Sequence, residues 1–136
     1  SDVCSSDLEA PRAAIRSPRD VATLLLPRFG WRGAEQFGIV LLDTKHRVMR
    51  VAVIAVGTLN ATCVEPRDVF REAAVGRAAA VVAFHNHPSG DPTPSPDDRR
   101  LTQRLVASGR LLGIDVVDHL VLGDGRYWSF REAGQI

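Results

Sequence analysis

The segment Pro88–Pro94 constrains the fold of this chain more than any other. Its seven residues, Pro-Ser-Gly-Asp-Pro-Thr-Pro, hold three of the eight prolines and one glycine. Proline fixes φ and lacks a backbone donor, so this segment is neither helix nor central strand but a shaped loop. The sequence on its two sides differs sharply. Ahead of it, Ala79-Ala-Val-Val-Ala-Phe84 is an unbroken apolar run that reads as a buried strand and leads directly into His85-Asn86-His87. Behind it, Ser95-Pro96-Asp97-Asp98 reads as a helix start, with serine at the N-cap, proline at the first helical position and an acid at the third.

The rest of the chain supplies a frame for this unit. Ser17-Pro18 opens a helix with Val21, Leu24 and Leu25 buried, ended by Pro27 and Gly30. Phe37–Asp43 and Arg47–Val56 are rich in β-formers and read as an antiparallel hairpin, followed by a turn at Gly57–Asn60. Glu65-Pro66 opens a second helix carrying Val69, Phe70, Ala73 and Ala74, with Gly76 near its end. The helix after Ser95 carries Leu101, Leu105, Ser108 and Leu112 along one face. Residues 114–117 and 119–122 form a strand region, and Gly123-Asp-Gly125 turns the chain into a short last strand at 127–130. Trp31 and Trp128 read as core or core-edge residues. The 136 residues, 45% apolar, suit one domain. The expected fold class is mixed α/β (α+β), one sheet covered by helices over 18–136, with 1–17 a loose tail or artefact.

Charge and composition exclude several classes. Seventeen basic and sixteen acidic residues leave a net charge of +1, too little to draw the chain to nucleic acid or anionic lipid by bulk charge. The two cysteines, Cys4 and Cys63, make no disulfide framework. Apolar runs fall well short of the ~20 residues that span a bilayer. These features lead to the expectation of a soluble, cytoplasmic protein with no membrane partner.

The chemistry sits around the Pro-rich loop. Residues two apart on a strand share a face, so His85 and His87 present two imidazoles side by side. The loop returns the chain toward them and starts the helix whose first turn holds Asp98. Two nitrogens and one carboxylate are a three-ligand set for catalytic Zn²⁺, leaving a fourth position for water. A helix N-terminus favours the ionised acid that a ligand requires. Glu35, just ahead of the first core strand, is the candidate general base, and Ser95 the candidate donor to a developing oxyanion. Each feature also has a plainer explanation. Ser95–Asp98 is a sound capping box, a lone His-x-His seldom marks a metal, and Glu35 alone is a solvated strand-end carboxylate. His119, after Asp118, reads more readily as a satisfied structural histidine than as support for the site. Together, two histidines, a stiff loop and an acid at a helix start favour a metal, because so many polar groups need partners.

The run from Phe84 to Asp98, with its His-x-His-Pro, seven-residue, Ser-x-x-Asp spacing, resembles the JAMM (MPN+) metalloprotease motif, and within it the RadC-type branch. Gly57–Asn60, Pro66-Arg67 and Asp118-His119-Leu120 through Gly125 add to the resemblance, which covers roughly 18–136. It implies a JAMM/MPN-like (cytidine-deaminase-like) curved mixed sheet flanked by helices. It also implies zinc-dependent hydrolysis of a peptide or isopeptide bond in a protein substrate. Carried over by position, the metal ligands are His85, His87 and Asp98, the oxyanion-stabilising serine is Ser95 and the catalytic glutamate is Glu35. Two departures stand out: a helix-hairpin-helix region typical of such proteins is absent, and Glu65 stands where similar sequences often carry histidine. Two competing functions follow from the same residues. One is a non-catalytic MPN-type binding module linked to DNA repair or DNA metabolism, which the near-neutral charge supports weakly. The other is a metal-dependent nuclease, disfavoured because ligands for only one ion are visible.

Overall fold

A computed structural model describes residues 12–31, 33–57 and 64–136. Helix α1 spans Pro18–Phe29 and strands β1 and β2 span Gln36–Leu42 and Val48–Val56. Helix α2 (Pro66–Val75), strand β3 (Ala80–Asn86), helix α3 (Pro96–Leu112) and strands β4 (Asp115–Leu122) and β5 (Tyr127–Ser129) follow. The five strands form one sheet in the order β2-β1-β3-β4-β5. All neighbours are antiparallel except β3 and β4, whose parallel pairing is allowed by the α3 crossover. Helices cover both faces, which is why β1 and β3 read as continuous apolar runs. Phe37, Ile39, Leu41, Val81 and Ala83 point toward α2 and α3, whereas Val40, Leu42, Val82 and Phe84 point toward α1. The result is a mixed α/β domain of the class expected from the sequence. Among the described residues no helix is long and apolar enough to cross a membrane.

Four details depart from the sequence-based expectation. Pro27 lies inside α1 rather than ending it. Its missing N–H frees only one carbonyl near the helix end, and Gly30 N still bonds Leu26 O at 2.9 Å, so the last turn closes. Trp31 is 73% exposed and Leu112 59% exposed, so neither belongs to the core. On α3 the buried residues are Leu101, Thr102, Leu105 and Gly109, because the apolar face follows the helical repeat and bends away from Leu112. Packed structure also reaches back at least to Arg12, into the segment expected to be loose: Val48 N donates to Ala13 O at 2.8 Å and Ile15 N to His46 O at 2.9 Å. Cys63 and most of the turn at 57–60 lie outside the described residues.

The β1–β2 turn is built on Asp43. Its Oδ1 accepts from Lys45 N and Arg47 N, both at 2.9 Å, while Oδ2 receives the Arg12 and Arg47 guanidinium groups at 3.2 and 2.8 Å. Burial opposes its ionisation, but these donors outweigh it and bring the Asp43 carboxyl down from 3.8 to about 2. A depressed folded-state pKa stabilises the fold above the unfolded value and loses that contribution as pH falls through the folded one. Asp43→Ala is therefore expected to cost about 1–2 kcal/mol at pH 6. In urea denaturation, the gap between wild type and variant should narrow as the pH is lowered from 4 toward about 2. A gap independent of pH would contradict this assignment.

Candidate metal centre

The site lies where the C-terminal end of β3 meets the N-terminus of α3. His85 is delivered by the last turns of β3 and is 3% exposed; His87 follows immediately after the strand. The Pro-rich loop then returns the chain so that α3 begins at Ser95. There the capping box forms in full: Asp98 N donates to Ser95 Oγ at 3.1 Å, and Ser95 N donates to Asp98 Oδ2 at 2.8 Å. The plain capping reading and the ligand reading thus coincide, because the cap fixes the carboxylate that faces the histidines. Ser95 Oγ accepts in this bond, so its own O–H is left to donate.

Three donor groups converge. His85 Nε2 and His87 Nε2 are 3.0 Å apart. Asp98 Oδ1 lies 3.2 Å from the former and Asp98 Oδ2 lies 3.3 Å from the latter. Donors held at ~2.0–2.1 Å around a tetrahedral ion stand about 3.3–3.4 Å apart, so the set fits one ion after shifts of a few tenths of an ångström. His87 Nδ1 contacts the Asp91 carbonyl at 2.9 Å; a carbonyl only accepts, so Nδ1 carries the hydrogen and the neutral ring offers Nε2 as a ligand. When the ring is protonated, Nε2–H donates to Asp98, and this bond raises the His87 pKa above the ordinary imidazole value although burial opposes the shift. Burial likewise works against ionisation of Asp98. The two facing imidazoles and the Ser95 N–H outweigh it and hold the carboxyl far below the usual range.

Glu35 belongs to the same cluster. One ligand atom each from Glu35, His85 and His87 lie within 4.8 Å of one another, a group able to hold a metal ion. Asn86 holds the Glu35 segment from both sides, accepting from Gln36 N at 2.7 Å and donating to Ala34 O at 3.1 Å, while Gly57 N donates to Glu35 O at 2.9 Å. Strand alternation turns Asn86 away from the rings, and its clamping of the Glu35 segment was not legible from spacing. Beside Glu35 an open cleft of about 370 Å³ is lined by Gly33, Ala34, Gly57 and Pro88. A smaller cavity of about 110 Å³ lies on the α1 side, among Val21, Val82 and Asp118, away from the cluster.

The deepest layer of the site is His119, fully buried, with its ring 5.0 Å from Phe130 in a stacked arrangement and 5.7 Å from Phe37 edge-on. Burial pushes its pKa well below the ordinary value. His119 Nε2 lies 2.9 Å from His85 Nδ1, and His119 Nδ1 lies 2.6 Å from Thr102 Oγ1. The structural-histidine reading holds in that both ring nitrogens have partners, but one of them is His85. Thr102 went unnoticed in the sequence, although its place four residues after Asp98 sets it on the same helix face.

Comparison with known proteins places the chain in a family. Residues 15–135 match the RadC-like JAB domain family. The chain belongs to that family. It is 46% identical over 127 residues to a UPF0758 protein of Methanosarcina mazei, covering 93% of this chain and 56% of the relative. It is 50% identical over 123 residues to a UPF0758 protein of Chloroflexus aurantiacus, covering 90% and 54%. A UPF0758 protein of Moorella thermoacetica is 49% identical over 121 residues, covering 89% and 53%. The chain thus spans about half the length of these curated relatives. In this RadC-like JAB domain Glu65, noted above as a departure, starts α2 and accepts from Arg104 at 2.9 Å, a contact between α2 and α3.

Proposed function

We propose that this domain is a zinc-dependent hydrolase of the JAMM type, cleaving a peptide or isopeptide bond in a protein substrate. The observation that carries the reading is the convergence of His85, His87 and Asp98 at 3.0–3.3 Å with the Glu35 carboxylate beside them. His85, His87 and Asp98 would hold the ion. When bound, zinc would lower the pKa of a water from ~16 toward ~7 and polarise the scissile carbonyl. Glu35 takes the proton from the attacking water and returns it to the departing amine nitrogen. The Ser95 O–H, whose oxygen only accepts in the capping bond, hydrogen-bonds the carbonyl oxygen as charge develops there. Asn86 keeps Glu35 at the mouth of the cleft, and the small residues lining that cleft leave room for an extended backbone.

Glu35→Gln separates chemistry from binding. It is expected to keep about one equivalent of zinc while lowering cleavage of internally quenched peptide mixtures by ~10²–10⁴-fold. Turnover by Glu35→Gln equal to that of wild type would exclude Glu35 as the base. Absence of cleavage by the zinc-loaded wild type across peptide and isopeptide mixtures would instead favour the binding-module reading.

A further inference from the structure

The contacts from His85 inward run in one direction only. Thr102 Oγ1 lies 2.8 Å from the Asp98 carbonyl and 2.6 Å from His119 Nδ1. The carbonyl accepts only, and the hydroxyl has a single proton. If that proton went to His119, two oxygens would face each other at 2.8 Å with no hydrogen between them. With the proton on the carbonyl contact, Thr102 Oγ1 accepts from His119 Nδ1–H. In the neutral ring the second nitrogen is then an acceptor, so the 2.9 Å contact is donated by His85 Nδ1–H to His119 Nε2. His85 Nε2 is left with its lone pair, aimed at His87 Nε2 and Asp98 Oδ1. His119 is packed between Phe37 and Phe130 and is 0% exposed, so solvent offers no competing partner.

We propose that Thr102 and His119 are positioning residues that lock His85 in the tautomer whose Nε2 binds the metal. The same carbonyl that ends the relay belongs to Asp98, so one residue supplies a carboxylate to the ion and, through its backbone, sets the ring state of a second ligand. A histidine ligand whose other ring nitrogen is held by a fixed acceptor is oriented and made a better donor, and losing such a partner costs ~10–100-fold in metal affinity. This inference rests on the metal reading above, but its first consequence does not require metal.

The test uses the intact chain as wild type, Thr102→Val, Thr102→Ser and His119→Phe. Thr102→Val keeps the volume and removes the hydroxyl, whereas Thr102→Ser restores it. In metal-free wild type, ring nitrogen shifts from two-dimensional NMR should show the His85 hydrogen on Nδ1; in Thr102→Val a substantial fraction should move to Nε2, and Thr102→Ser should revert to the wild-type pattern. Competition titration with zinc should show ~10–100-fold weaker binding for Thr102→Val and His119→Phe and near-wild-type binding for Thr102→Ser. A wild-type His85 protonated on Nε2, or a Thr102→Val protein matching wild type in both tautomer and zinc affinity, would overturn the proposal. If wild type takes up no zinc, the metal reading fails, while the tautomer measurement still decides on the relay.

Discussion

His87→Ala is expected to lose zinc altogether: after equilibration and dialysis, wild type should retain about one equivalent and the variant close to none. Of the three ligands proposed above, removing His87 leaves His85 and Asp98, fewer than the three protein donors through which catalytic sites hold zinc, and Glu35 beside them is assigned as the base and not as a ligand. The loss has a second readout in stability. Zinc that binds only the folded state stabilises it by about 2.7 kcal/mol at one hundred times its Kd. Wild type should therefore show a zinc-dependent rise in its urea midpoint that His87→Ala lacks. His87 suits this test better than His85, because it lies beyond β3 and less deeply buried, so its truncation leaves the core intact. Undiminished zinc retention by His87→Ala would place the ion elsewhere.

Gly38→Ala should destabilise the fold by about 2–4 kcal/mol, a large part of the stability of a domain this size. Gly38 lies in β1 between Val53 of β2 and Phe84 of β3. A Cβ there would stand 2.5 Å from a Phe84 ring carbon and 2.7 Å from the Ala52 carbonyl oxygen. Neither neighbour yields easily. Phe84 is fully buried and packs 4.8 Å from the Phe29 ring, and the carbonyl belongs to the strand backbone. Phe84 also precedes His85, so the strain falls on the strand that carries the site. Gly33 is the control: nothing lies within 4 Å of a Cβ added there, and Gly33→Ala should stay within about 0.5 kcal/mol of wild type. Equal urea midpoints for Gly38→Ala and wild type would contradict the packing described.

Much of this architecture was legible because the signals are local. The runs at 36–42 and 80–86 are strands for the reason they look like strands, since both faces of the sheet are covered. Ser95-Pro96-x-Asp98 starts a helix as such a sequence should, and the same box then aims Asp98 at the rings. What escaped the sequence depends on contacts between distant residues. Trp31 is apolar by type but lies after α1 ends, where no element of the described residues covers it. Parallel pairing of β3 with β4 places His119 opposite Ala83, behind His85, and nothing in the spacing of 34 residues between the two histidines announces it. Asn86 meets Ala34 and Gln36 only because β1 pairs with β3, and that register exists only in the folded sheet. Local chemistry thus marked the donors, and tertiary pairing decided which groups orient them.

The most direct measurement is anomalous diffraction at the zinc edge from crystals of the zinc-equilibrated protein. One peak is expected within ~2.0–2.2 Å of His85 Nε2, His87 Nε2 and an Asp98 carboxylate oxygen, with Glu35 nearby and not among the ligands. A peak at other residues, or none at this cluster, would contradict the assignment.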